Sequence, residues 1–526
     1  MIKLYRGEKI GEGTYGTVYS ATKETPNKPI EVVAVKRNFK DLTASFIGNI
    51  RELDALSRLK GHPFIVDLQS VSFGEPFNTE NSKTTPIRKS DKSMRDDKVH
   101  FVMGYVPMSL NTFIISANYN MSHAKLLMAQ LLLGCEWMHA KGVSHRDFKP
   151  GNILVDPAKL YLKICDFGMS QILTAAARTT PGVMTSWYRA PEICCSSPYT
   201  LSADMWSIGC ILFEMVSGWP FLYSAIDTNE GAFNAILGRL PESPDQKVIQ
   251  RLFDTGKMLQ IRPEASPIRR KSFFDQLKLS AEKLKEFNKQ GSIEEFIDLL
   301  SKILVLDSSK RLSAADALNH SFFTYLRSYI DNIRKTYKPE YPTLPIINII
   351  QCVERQFMIN AAFSVYNNRS NLSWYNHRIL FHAIDLFDRY IEWGFNNMSL
   401  AENESSTRGR LHSKIECELR FYGCLYLFHK YYATMTYPIQ WDHFASQFTS
   451  YDMLVVAEEF EVLLIRDVTQ FEIYRDTLLE MPQQYGQPIT EELVHKLIYE
   501  YGIITSWKDA SIRSMYRKIF NIPVPL

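Results

Sequence analysis

Cysteine is scarce in this chain of 526 residues: there are eight, with Cys194 and Cys195 adjacent and no CxxC pair. That scatter argues against a disulfide framework or a zinc site and fits free thiols buried in a reducing compartment. Long apolar runs are missing too. No stretch approaches the roughly 18 uncharged apolar residues that a membrane span requires. The first residues, Met1 to Lys9, carry no apolar core behind their charges, so a secretory signal is not expected. Net charge is almost absent: 60 Lys+Arg against 57 Asp+Glu leave +3, which gives no reason to propose bulk nucleic-acid or membrane binding. Internal repeats and long low-complexity tracts are likewise lacking. The expectation is a protein inside the cell, in cytoplasm, nucleus or both. With 45% hydrophobic residues, the chain has material for two or three globular domains.

The order of patterns is strands first, helices later. Residues 1–40 read as strand, glycine-rich turn and strand, with Glu31–Val35 a β-branched run ending at Lys36. Residues 45–60 have helical period, with Phe46, Ile50, Leu53, Leu56 and Leu59 on one face. A polar stretch over 76–98 reads as a long loop before a strand at Val99–Val106. Beyond about 107 the texture is helical, with amphipathic segments at Ala124–His139, Ser202–Ser217 and Ser292–Val305. This order predicts an α+β small lobe joined to a mostly helical large lobe. Residues 327–345, with three prolines near their end, read as a linker or strap. After Ile346 the chain is helical almost to its end, interrupted by a polar gap at 397–413.

Chemistry concentrates in two short segments. His145-Arg146-Asp147-Phe148-Lys149-Pro150-Gly151-Asn152 is followed by Asp166-Phe167-Gly168. A carboxylate to take or orient a hydroxyl proton, a lysine to neutralise a moving phosphoryl group and two oxygen ligands for Mg²⁺ thus fall within about twenty residues. Upstream, Gly11-Glu12-Gly13-Thr14-Tyr15-Gly16-Thr17-Val18 fits GxGxxGxV, whose glycines let a hairpin backbone approach phosphates. Lys36 supplies a cation for the α/β-phosphates, and Glu52 on the 45–60 helix is the carboxylate to orient it.

These motifs, with Ala190-Pro191-Glu192, Asp204 and Arg311 in their usual order, resemble a eukaryotic protein kinase over residues 1–326. The small lobe would be 1–106 and the large lobe 107–326. The resemblance implies catalytic roles for Asp147, Lys149, Lys36 and Glu52, and Mg²⁺ ligation by Asn152 and Asp166. It implies ATP contacts from Ile10, Gly11, Glu12, Gly13, Thr14, Tyr15, Gly16, Val18, Ala34 and Lys36. Met103 would be the gatekeeper, with the Gly104–Val106 backbone reading adenine. Asp204 would brace the catalytic loop, and Arg311 would pair with Glu192. Lys149, two residues after Asp147, is similar to the serine/threonine-kinase pattern.

The wording at 9–19, at Ile50-Arg51-Glu52 and at 187–193 resembles cyclin-dependent kinases. That implies inhibitory phosphorylation at Thr14 and Tyr15 and an activating site at Thr180, served by an upstream kinase, with Arg51 and Arg146 binding the phosphate. A third arginine is replaced by Gln171. Ser/Thr-Pro substrates are implied, with Arg189 contributing to the proline-favouring surface and Met184 departing from the small residue usual there. No TxY activation motif of the mitogen-activated type is present.

The C-terminal third carries amphipathic segments at 373–395, 416–433 and 451–467. In the first, Ile379, Leu380, Ile384, Leu386 and Phe387 are the expected core. Composition alone fits a generic helical bundle. The order and local wording over 346–480 resemble a cyclin box, followed by a helical extension at 481–526. The resemblance implies an all-α cyclin-like domain whose Lys430 and Glu459 would grip the kinase's regulatory helix, an activator in cis at roughly millimolar effective concentration. The alternatives are a weakly active scaffold that recruits partners through this domain, and a kinase activated by a separate cyclin.

Overall fold

The computed structural model describes residues 3–13, 16–38, 43–73, 77, 99–116, 119–172, 186–222, 228–242, 245–255, 271–289, 293–338, 382–390 and 424. The chain forms two compact units, Met1–Glu340 and Tyr341–Leu526.

The first unit begins with an antiparallel meander. Strands β1 (Lys3–Gly13), β2 (Gly16–Glu24) and β3 (Glu31–Asn38) join β4 (Leu68–Phe73) and β5 (Val99–Gly104) in a five-stranded sheet of order β1-β2-β3-β5-β4. Alternation along β3 sends Val33 and Val35 to one face, where they pack with Leu4, Ala21 and Val102. Ala34, Lys36 and Asn38 occupy the other face, towards the cleft. Helix α1 (Thr43–Arg58) follows, with Leu53 and Leu56 buried as its period predicts; the side chains of Phe46 and Ile50 lie outside the described residues. The loop after α1 is tied to the large lobe. Ile164 N donates to Phe64 O at 2.8 Å and Val66 N to Ile164 O at 2.9 Å. This loop is therefore a pivot between the lobes.

In the large lobe, α2 (Leu110–Ser116) and α3 (Met121–Ala140) precede the catalytic segment. Two small sheets frame that segment. One joins β6 (Met108–Ser109), β8 (Ile153–Asp156) and β9 (Tyr161–Ile164); the other pairs β7 (Val143–Ser144) with β10 (Gln171–Ile172). Gly134 on α3 is where β9 presses closest: a Cβ there would come within 2.7 Å of Ile164 Cδ1. Helices α4 (Pro191–Cys194) and α5 (Ser202–Ser217) follow. Both α3 and α5 were expected to be amphipathic; instead α5 is buried on all sides and α3 on most. They form the lobe's centre, where a helix needs no polar face.

The proline-bearing segment 327–345 is not a free linker over its first part. Arg327–Thr336 is a helix of the first unit, with Ile330 buried. Its Arg334 grips both carboxylate oxygens of Glu136 at 2.9 Å. Tyr337 then meets the His62 ring edge-on at 5.5 Å, and His62 stacks on Trp137 at 5.1 Å. This is a strap across the pivot loop. It ends just before Pro339, as the restriction on a residue preceding proline requires.

Of the second unit, residues 382–390 are helical and every one is buried. Arg389 Nε lies 3.1 Å from Asp385 Oδ2, one turn away. Ile384, Leu386 and Phe387 are buried as expected, whereas Ile379 and Leu380 lie outside the described residues. So do the segment 451–467 and the whole of 416–433 except Cys424. An all-α cyclin-like domain is therefore not shown.

Candidate active site

The cleft face of the sheet meets α1 and the segment after β9 at one buried lysine. Lys36 Nζ lies 2.6 Å from Glu52 Oε2 and 3.0 Å from Asp166 Oδ1. Burial alone would push the ammonium's pKa down; the Asp166 and Glu52 carboxylates outweigh it and hold the pKa above its ordinary value. Lys36 in turn holds the Asp166 carboxyl below the usual range. Burial lifts Glu52 upward against the pull of Lys36. Asp166 sits at φ +61°, a left-handed backbone that turns its carboxylate to the cleft.

The segment 145–152 is organised by Asp204, which is wholly buried at the start of α5. Its Oδ2 accepts from His145 N at 2.9 Å and its Oδ1 from Arg146 N at 3.0 Å, while His139 Nε2 lies 3.1 Å from Oδ2. Burial would raise the Asp204 pKa, but the His139 contact and the amide donors bring it below normal. His145 stacks on Phe148 at 4.5 Å and bonds Cys165 O at 3.0 Å, joining this loop to the Asp166 segment. Asp147 Oδ2 faces Lys149 Nζ at 2.7 Å and Asn152 Nδ2 at 3.0 Å; Nδ2 also donates to Asp147 O at 2.8 Å.

Arg311 braces α4 from afar. Its two terminal nitrogens reach the two Glu192 oxygens at 2.8 and 3.1 Å, the bidentate geometry of an arginine–carboxylate pair.

At the glycine-rich turn, Gly16 opposes Asn38, and Val18 opposes Lys36 on the cleft face. A Cβ on Gly16 would collide with the Arg37 carbonyl oxygen, so this glycine is required by strand packing. Glu12 faces outward and pairs with Lys9 at 2.6 Å. Ile10 is exposed, while Ala34, Met103 and Val106 are buried at the cleft's inner end. The Gly104 amide donates to Asp67 O at 3.0 Å. It is thus committed to the scaffold. Thr14, Tyr15, Thr180 and Met184 lie outside the described residues.

Sequence reasoning placed Gln171 but not its contact. Arg146 NH1 donates to Gln171 Oε1 at 2.9 Å, and Tyr199 OH donates to the same oxygen at 3.2 Å. The guanidinium also lies 5.6 Å above the Tyr199 ring. Arg51 is on the last turns of α1, where its carbonyl accepts from Ser170 Oγ at 3.4 Å. Arg189 is buried and donates to Asn229 Oδ1 at 2.6 Å. The aromatic strap at Tyr337 was missed, because nothing in periodicity distinguishes a lone tyrosine in a proline-bearing stretch from linker.

The donor set fits Mg²⁺. Asn152 is oriented through its Nδ2, which sets its carbonyl oxygen apart as an acceptor, and Asp166 offers an ionised carboxylate. Two hard oxygen ligands suit an ion that keeps its waters and is otherwise held by phosphate oxygens.

The protein kinase domain family matches residues 4–323, and the chain belongs to that family. It is 32% identical over 330 residues to Cyclin-dependent kinase B2-2 of Arabidopsis thaliana, covering 60% of this chain and 91% of the relative. It is 32% identical over 327 residues to Mitogen-activated protein kinase sty1 of Schizosaccharomyces pombe, covering 62% and 80%. The CAK complex from Chaetomium thermophilum bound to ATP-gamma-S is a solved structure that is 28% identical, with a TM-score of 0.47, covering 61% of this chain and 91% of that one. The protein is a serine/threonine protein kinase similar to the cyclin-dependent kinases. Among the described residues no helix is long and apolar enough to cross a membrane.

Proposed function

We propose that the chain transfers the terminal phosphate of ATP to serine or threonine hydroxyls, those preceding proline included, and that its second unit acts as a cyclin-like activator in cis. The observation that carries the catalytic reading is the buried Glu52–Lys36–Asp166 array, with Asp147, Lys149 and Asn152 hydrogen-bonded beside it.

Each residue has a task. Lys36 grips the α/β-phosphates, held in line by Glu52. Asp147 orients the substrate hydroxyl and takes its proton as the hydroxyl oxygen bonds to phosphorus and the bond to ADP breaks. Lys149, 2.7 Å from Asp147, neutralises charge on the phosphoryl oxygens in flight. Asn152 and Asp166 would hold Mg²⁺, which would supply positive charge to offset that of the phosphates. Val18, Ala34, Met103 and Val106 enclose the base, with Ile10 above it and the turn from Gly11 to Gly16 over the phosphates. Phosphate on Thr14 or Tyr15 would oppose ATP; phosphate on Thr180, placed by an upstream kinase, would be met by Arg51 and Arg146.

The engaged Glu52–Lys36 pair occurs in a chain that carries its own C-terminal unit, and this supports activation in cis through Lys430 and Glu459. The test compares phosphorylation of a Ser-Pro peptide by full-length protein, residues 1–340, and full-length Lys430→Glu and Glu459→Lys, each at several dilutions. Activity confined to the unaltered full-length chain and independent of dilution supports cis activation. Equal activity in all four overturns it. Recovery of the 1–340 protein by an added cyclin would transfer the activator role to a separate chain.

A further inference from the structure

Arg146, the residue before Asp147, is held from two sides. Its backbone is left-handed at φ +67°, a conformation that a long side chain keeps only where its surroundings fix it. Asp204 fixes the amide, its Oδ1 accepting from Arg146 N at 3.0 Å. Gln171 fixes the side chain, which is buried: Arg146 NH1 donates to Gln171 Oε1 at 2.9 Å. Tyr199 OH donates to the same oxygen at 3.2 Å, and the guanidinium lies 5.6 Å from the centre of the Tyr199 ring. One amide oxygen thus uses both lone pairs on two donors and joins three segments of the large lobe. Gln171 is itself anchored to the strand that leads into the loop, since β10 pairs it with Ser144 of β7. These two partners of the guanidinium are neutral. The residue type matters here. An amide oxygen accepts from Arg146 directly, whereas a cationic side chain at 171 would repel it and need an anion between them.

We propose that Gln171 is a positioning residue for phosphoryl transfer: it sets Arg146, and through it Asp147, with no anion at the site. The inference rests on the kinase reading above. It narrows the part of a phosphate on Thr180, which would meet a loop already in place.

The experiment measures kcat, and KM for ATP, with a Ser-Pro peptide on the full chain freed of phosphate and checked by intact mass, beside its melting temperature. Gln171→Met keeps the length of the side chain and removes the acceptor. The proposal predicts that the phosphate-free parent turns over, and that the methionine variant loses kcat roughly tenfold or more with KM for ATP unchanged. Gln171→Glu, which keeps an acceptor for both donors, should retain parental kcat. In an Arg146→Ala background Gln171→Met should cause no further loss, because Gln171 acts through that residue. A purely structural role predicts a lower melting temperature in the methionine variant with parental kcat. Gln171→Arg serves where the methionine variant does not fold: a second guanidinium cannot accept from Arg146, and kcat should fall likewise. Parental kcat in the methionine or arginine variant overturns the proposal and leaves the kinase reading intact. So does a parent that is active only when it carries phosphate. A parent inactive with and without phosphate overturns both.

Discussion

The catalytic loop and helix α1 supply the same cleft, but they are held in place differently. The loop is tied down by Asp204, whose two oxygens collect the amides of His145 and Arg146, and by Asn152, which bonds Asp147 twice. Among the described residues, helix α1 meets the cleft through the Glu52–Lys36 ion pair and through the Ser170 hydroxyl, which donates to the Arg51 carbonyl, with the pivot loop behind it. The loop is thus built with the large lobe, whereas α1 belongs to the small lobe and reaches the cleft chemistry through Glu52. Such a difference is what makes a helix available to an activator and a loop unavailable to one.

Breaking the loop should have the largest effect. Asp204→Asn would put an NH₂ where one of two backbone amides now finds an acceptor, leaving a buried donor unmatched and Asp147 displaced. We expect kcat to fall about a hundredfold or more, since ångström-scale misplacement has that consequence. Peptide phosphorylation under saturating ATP measures it, and a variant with parental kcat would mean the loop does not depend on this brace.

Glu52→Gln tests the other side. It keeps shape but removes the charge that faces Lys36, leaving Asp166 as the lysine's sole carboxylate of this pair. Loss of kcat/KM for ATP by roughly tenfold to a hundredfold is expected, because a buried charge pair is broken from one side. If this variant matched Asp204→Asn in severity, the contrast between a prebuilt loop and an adjustable helix would not hold.

Much of this contrast was legible before any coordinates. Asp147, Lys149, Asn152 and Asp166 announce themselves because catalysis demands particular groups at fixed spacing, and Asp204 and Arg311 follow from their order along the chain. Helices α1 and α5 followed from period and length. Burial was harder: α5 looked amphipathic because its Asp204, Ser207 and Glu214 are polar, yet all three are interior and hydrogen-bonded. Partners distant in sequence were not legible at all. The Gln171–Arg146 bond and the Tyr337–His62 contact arise only when the fold brings the chain back on itself.

The pivot loop gives a smaller, pH-dependent effect. Burial, with Lys163 adding to it, pushes the His62 imidazole down to about 3 from an ordinary value near 6.5. Below pH 6.5 the unfolded chain binds this proton more readily than the folded one. The stability from neutral His62 is therefore complete above pH 6.5 and is lost as pH falls toward 3. From pH 7 to 5 the loss is about 2 kcal/mol. His62→Phe, which retains a ring against Trp137, should remove that part of the pH dependence. Denaturant unfolding of both proteins at pH 7 and 5 checks this, and equal losses would mean that His62 is protonated in the fold.

The smallest effect concerns the strap. Tyr337 reaches the pivot from the far end of the first unit, and an edge-on aromatic contact of this kind contributes about 0.5–1.5 kcal/mol. If it favours the engaged position of α1 by that amount, Tyr337→Ala should lower kcat by roughly two- to tenfold without changing KM for the peptide, and Tyr337→Phe should restore it. A purely structural contact would lower stability in the alanine variant and leave kcat alone. The same geometry decides where the chain can be cut. A truncation ending at 335 would remove Tyr337 together with the second unit, so loss of activity would confound two causes, whereas one ending at Glu340, the limit of the first compact unit, keeps the strap and removes the second unit alone.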